Sequence, residues 1–264
     1  MLHHRSLTAF TCNDVSLFKL LVIVLLASVT NTALADTIVL DDFSQIISPD
    51  SGVVTFSGSG AGSSTFDALT GEISLAPNTT ASWTETLTGP ARLWNKRSGD
   101  LAASGGTSNA TLYVDNGFLA AALPNDLSQS LTFSYYDSPD VEKNLTAAGD
   151  VFYLKVLTSD NNVAGSIKLY DANGQTGTAG FVIGGTVVPS TVSVSLASIY
   201  QTVNRSRITR ADVSLVMPNA TDLQLDSMYF APVPEPSSVI IGLMAAVFTG
   251  ITVARKRRAS RTAS

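Results

Sequence analysis

The chain has 264 residues, 45% of them hydrophobic and only 14% charged, with a formal net charge of −5. Its one cysteine, Cys12, and both histidines, His3 and His4, lie at the extreme N-terminus. The rest of the chain is therefore without disulfides, His/Cys zinc sites, cysteine nucleophiles and Ser-His-Asp triads. Between Asp36 and Val233, nine Lys and Arg stand against nineteen Asp and Glu. A stretch this acidic repels phosphate backbones, which argues against a nucleic-acid partner.

The first predicted element is an export signal. Arg5 and Lys19 give a positive leader, "LLVIVLLASV" (residues 20–29) is an apolar run of the right length, and Ala33 and Ala35 supply the small residues that signal peptidase requires. Residues 1–35 read as a cleaved signal peptide. An uncleaved anchor is the alternative, and the short apolar run followed directly by Ala-x-Ala argues against it.

Residues 36–232 carry short β-type runs broken by Gly, Asn, Asp, Pro and Ser, among them "TIVLDDF", "ASWTETL", "SLTFSYYD", "DVFYLKVLTSD", "SIKLYDANG", "STVSVSL" and "LQLDSMYF". Many alternate apolar with polar, the period of a half-buried strand. In "STVSVSL", Val192, Val194 and Leu196 share one face. Asn116-Gly117 and Asn173-Gly174 are hairpin dipeptides, because both central residues of a type I′ turn need positive φ. "FLAAALPNDL" (residues 118–127) reads as a short helix or a buried strand. About a dozen strands with almost no helical period predict an all-β fold, an antiparallel sandwich of jelly-roll type.

Three constellations in this region are candidates for chemistry. If the first and last strands pair, Asp41, Asp42 and Asp226 converge, and clustered carboxylates suit a structural Ca²⁺; solvated strand-edge aspartates are the other reading. Trp83, Trp94, Tyr135 and Tyr136 are candidate sugar-stacking rings, and Trp94 sits in "ARLWNKR", a basic cluster suited to an acidic polysaccharide. Tryptophan in a sandwich equally serves as core. In "SYYD", strand alternation sends Tyr135 and Tyr136 to opposite faces. A hydrolase would need paired carboxylates. The only Glu residues here, Glu72, Glu85 and Glu142, show no pairing in the sequence, so no enzyme and no catalytic residue is expected.

The tail, residues 233–264, closes the chain. Pro234, Glu235 and Pro236 precede an uncharged apolar stretch (residues 238–254), long enough as a helix to span a thin bilayer. Arg255, Lys256, Arg257 and Arg258 follow, and the positive-inside rule places them in the cytoplasm with the β region outside. The two prolines keep the segment extended and accessible to a protease.

Pro-Glu-Pro, a short span and a terminal basic cluster, in that order, resemble the PEP-CTERM sorting signal of Gram-negative bacteria. The resemblance implies processing by exosortase and delivery to the cell surface or exopolysaccharide matrix. A proline-rich spacer before a permanent anchor is the alternative. The opening "VLDDFS" and closing "LQLDSMYF" resemble the carbohydrate-binding-module-like, jelly-roll domains that precede such signals. The expectation is therefore an exported, non-enzymatic surface or matrix protein. Its partners would be signal peptidase, exosortase, the membrane and exopolysaccharide. The alternatives are a polysaccharide-binding module and, behind it, a carbohydrate-active hydrolase. No cofactor is expected beyond the structural calcium.

Overall fold

Strict alternation of inward and outward side chains builds the molecule from strands. The computed structural model describes residues 37–88, 92–115, 117–148 and 150–232. The expected signal peptide with Ala33 and Ala35, the motif Pro234, Glu235 and Pro236, the 238–254 span and the basic residues Arg255 to Arg258 lie outside the described residues.

In chain order the strands are β1 (Ile38–Asp41), β2 (Thr55–Gly58), β3 (Thr65–Asp67), β4 (Glu72–Leu75), β5 (Thr79–Thr86), β6 (Lys96–Gly105), β7 (Ala110–Asp115), β8 (Phe118–Ala122), β9 (Leu127–Tyr136), β10 (Val151–Ser159), β11 (Val163–Asp171), β12 (Thr176–Ile183), β13 (Ser190–Ser195), β14 (Ile208–Met217) and β15 (Asp222–Ala231). Among the described residues the only helical elements are the single 3-10 turns Ala61–Ser63 and Ile199–Gln201.

The strands form two antiparallel sheets. An eight-stranded sheet runs β13-β10-β15-β8-β7-β4-β3, with β1 added against β15. A seven-stranded sheet runs β12-β11-β14-β9-β6-β5-β2. The first and last strands do pair: Ile38 stands opposite Phe230 and Val39 opposite Tyr229. "FLAAALPNDL" resolves as strand β8, which forms a hairpin with β7, followed by a turn at Pro124.

One apolar core lies between the sheets. Phe152, Leu154, Leu225 and Phe230 enter from the eight-stranded sheet, and Leu131, Phe133, Ile167, Val213 and Leu215 from the seven-stranded one. Each side chain of this size contributes roughly 1.5–3 kcal/mol by leaving water. Val194 and Leu196 are buried and Val192 packs at the core margin, as the alternation in "STVSVSL" requires. In two places a core ring takes the space above a cross-strand glycine. Trp83 covers Gly99 and Phe181 covers Gly165, and a Cβ at either glycine would overlap the ring.

Candidate functional site

The polar groups of the core come first, because they decide which candidate residues remain available to a ligand. On the inner face of the seven-stranded sheet, Glu85, Arg97 and Tyr135 are direct cross-strand neighbours on β5, β6 and β9. All three are fully buried. Arg97 Nε donates to Glu85 Oε1 at 2.9 Å, and Arg97 Nη1 donates to Asp41 Oδ2 at 2.6 Å across the sandwich. Tyr135 Oη also donates to Asp41 Oδ2, at 2.9 Å, and Trp83 Nε1 donates to Glu85 Oε1 at 3.1 Å. Burial works against the charge on Arg97, but Asp41 and Glu85 outweigh it and hold the guanidinium protonated. Burial, reinforced by Asp41, raises the Tyr135 phenol well above its ordinary value.

This cluster corrects several expectations. Trp94 is 2% exposed, Trp83 5% and Tyr135 not at all, so none of the three presents a face for a sugar to stack on. Tyr136 is half-buried and outward, as alternation against Tyr135 requires, in register with Lys96 and Arg210. The basic cluster around Trp94 is not a surface patch. Arg97 is in the core, and the Arg92 side chain is 4% exposed, donating to Asp42 and Ser44. Asp41 is committed to Arg97 and Tyr135 and cannot also face a cation beside Asp42. Among the described residues, no three acidic, His or Cys side chains are grouped to hold a metal.

The other two aspartates share a cleft. Asp42 and Asp226 line a cleft of about 440 Å³ on the eight-stranded sheet, together with Thr37, Val39, Lys155, Ser227 and Tyr229. The pairing of β1 with β15 creates this cleft. Lys155 Nζ lies 3.6 Å from the Asp226 carboxylate and 5.9 Å from the centre of the Tyr229 ring. Tyr229 stacks on its cross-strand neighbour Tyr153, with ring centres 5.2 Å apart and planes at 15°. Burial and the neighbouring Tyr229 raise the Tyr153 phenol above its ordinary value, so that hydroxyl stays a neutral donor near neutral pH. Burial opposes ionisation of Asp42, but the Ser44 hydroxyl and amide and the Arg92 guanidinium hold its carboxyl below the usual range. The cleft thus combines an aromatic surface, two carboxylates, an ammonium and hydroxyls. Such a set can stack against a sugar ring and bond its hydroxyl groups.

A second cleft, of about 480 Å³, lies at the β2–β5–β6 end of the seven-stranded sheet. It is lined by Asp50, Ser51, Val53, Thr55, Ser82, Trp83, Thr84, Ser98 and Asp100. It is rich in hydroxyls, but its one aromatic residue, Trp83, is turned into the core.

Tyr153 and Tyr229 were not among the residues expected to bind, although the sequence carries the signal. Each lies between two apolar residues in an alternating strand, Phe152 and Leu154 around one, Met228 and Phe230 around the other. The flanking pairs are all buried, which turns both tyrosines outward.

No known family profile matches the chain. No curated protein matches it in sequence. Solved structures overlay parts of the sandwich. The protein PfGH50B does so with a TM-score of 0.36 at 11% identity, over 51% of this chain and 23% of its own. An agarase, AgWH50C, gives 0.33 at 8% identity, over 50% of this chain and 22% of its own. The family 11 carbohydrate-binding module of the cellulosomal cellulase Lic26A-Cel5E of Clostridium thermocellum gives 0.30 at 11% identity, over 58% and 88%. The overlay thus covers under a quarter of the first two proteins, and at these scores the likeness says nothing about a ligand.

The three glutamates take unrelated positions. Glu85 is bound to Arg97 in the core, Glu142 pairs with Arg207 on the surface, and Glu72 lines a separate cleft of about 350 Å³ with Tyr113. They do not face one another across a common cleft.

Proposed function

We propose that the sandwich is a non-catalytic polysaccharide-binding domain, with the ligand seated on Tyr229 in the cleft formed over β1, β15 and β10. The observation that carries this reading is the outward Tyr153–Tyr229 stack beside Asp42, Asp226 and Lys155. The ring supplies an apolar face, and the charged groups supply hydrogen-bond partners for hydroxyls at its margin. Two carboxylates against one ammonium favour a neutral sugar over an acidic one. A glycan array probed with the full chain and with Tyr229→Ala tests the reading. Signals on neutral glycans that vanish in the variant are expected, and product formation on any of them would revive the hydrolase reading.

The two ends of the chain support a second, compatible reading. Residues 1–35 would export the domain, and the PEP-CTERM-like tail would hold it at the membrane until exosortase releases it to the surface or matrix. Pro234, Glu235 and Pro236 ahead of an apolar stretch and Arg255 to Arg258 are the basis for it. Intact-mass measurement of the native protein tests both signals. A species starting at Asp36 and ending near Pro236 is expected. One that retains Arg255 to Ser264 would mean a permanent anchor.

A further inference from the structure

The two sides of the sandwich are built differently. On one side the edges are β2 and β3, of four and three residues, and β3 ends in Asp67. Short strands and edge charges are the usual protection against pairing with another chain. On the other side the edges are β12 and β13, of eight and six residues, and they approach each other along that side. Between Asp171 and Arg205, a stretch that contains both strands, no residue is charged.

Strand β12, "TGTAGFVI", is the less protected of the two. Pro189 stands at the entrance to β13, whereas β12 has no proline, and its pairing with β11 runs through eight residue pairs without a bulge. At its start, Thr202 Oγ1 reaches the Thr176 carbonyl at 3.4 Å and Ile199 packs close over Gly177. From Thr178 to Val182 the outer edge has no backbone partner among the described residues. Thr178, Gly180 and Val182 are exposed on its outer face. Val182 belongs to a row with Ala164 and Val216 across three strands, and Val187 and Val188 stand out from the loop that leaves β12. Among the described residues, most of the large hydrophobic side chains exposed above 50% belong to this region.

We propose that β12 is a self-association edge, at which a second copy of this chain adds its own β12 in antiparallel pairing about Gly180. The acidic balance of the domain selects this place. Two copies repel over most of their surfaces, and the uncharged β12–β13 side is where they approach with least repulsion. A two-fold axis at Gly180 sets Thr178 opposite the partner's Val182 and uses the whole free stretch. The result is one continuous sheet through two sandwiches, with the exposed valines of each copy brought to the junction.

The test is made in the full chain, purified in mild detergent. Sedimentation should show a dimer that Thr178→Lys with Val182→Lys converts to monomer, with the circular dichroism spectrum unchanged and a melting temperature that no longer rises with protein concentration. Association through the apolar termini would survive the lysines, and that result would overturn the proposal, as would a monomeric parent chain. Register is tested in a Cys12→Ser background. Chains carrying Thr178→Cys and Val182→Cys should form a mixed disulfide dimer on combination. Crosslinking no greater than that of Ser57→Cys on the opposite edge would contradict the pairing.

Discussion

Arg97 Nη1 meets Asp41 Oδ2 at 2.6 Å with neither side chain exposed, and together with the Tyr135 hydroxyl on the same oxygen it ties the first strand to the opposite sheet. The guanidinium also serves Glu85, so two buried carboxylates depend on one cation. Attraction between buried charges roughly balances their lost hydration while the set is complete, and fails when one member is removed. Arg97→Ala is therefore expected to cost about 3–5 kcal/mol in urea unfolding. A loss below about 1 kcal/mol, the range of exposed pairs, would mean that water reaches the cluster.

The same cluster sets an alkaline limit. The Tyr135 phenol is raised in the folded state, so above the ordinary tyrosine value near 10 the folded chain holds a proton that the unfolded chain releases. The stability from this group is complete below about pH 10 and is lost as pH rises through the folded value. Phenolate absorbance should accordingly show one tyrosine that ionises only with unfolding, and Tyr135→Phe should remove that component. Early ionisation of all the tyrosines would contradict the burial.

Gln129 is 2% exposed on the inner face of β9, and neither its amide nitrogen nor its amide oxygen has a partner among the described residues. An unpartnered buried amide costs roughly 1–3 kcal/mol. Gln129→Met, similar in volume and beside Met217 in the register, is expected to raise stability by about 1 kcal/mol. A fall would show that water bridges the amide.

Calcium separates the aspartates by role. Asp41 is held by Arg97 and Tyr135 and Asp42 by Arg92, while Asp226 faces Lys155 at 3.6 Å, so each carboxylate already has a cationic neighbour. Differential scanning calorimetry should give the same melting temperature in calcium and in chelator. A calcium-dependent rise abolished by Asp226→Asn would restore the metal site.

The sequence revealed those features that depend on strand period. Alternation in "STVSVSL" marked the inward residues, "SYYD" separated Tyr135 from Tyr136 without saying which faces the core, and the aspartates of "VLDDF" and "LQLDSMYF" were expected to converge only on condition that the first and last strands pair. Polar inward positions were hidden, because alternation assigns a face without saying what a buried Glu85 or Arg97 will bind. Their partners lie 37 or more residues away in several contacts, such as Asp41 to Arg97 with a separation of 56 and Ser48 to Glu85 with 37. A cluster of basic letters therefore read as surface when it was core. The cleft was half legible. Asp42 and Asp226 were marked, but Tyr229 needed the observation that its neighbours Met228 and Phe230 both point inward.

The central claim rests on Tyr229, so the most direct measurement is calorimetric titration of the full chain and of Tyr229→Ala with the neutral glycan that gives the strongest array signal. Loss of one stacking ring should weaken binding by about tenfold, the equivalent of roughly 1.4 kcal/mol. Thr84→Ala and Ser98→Ala in the second cleft should leave it unchanged. Equal affinity for Tyr229→Ala and the parent, or loss of binding only in the second-cleft variants, would contradict the assignment.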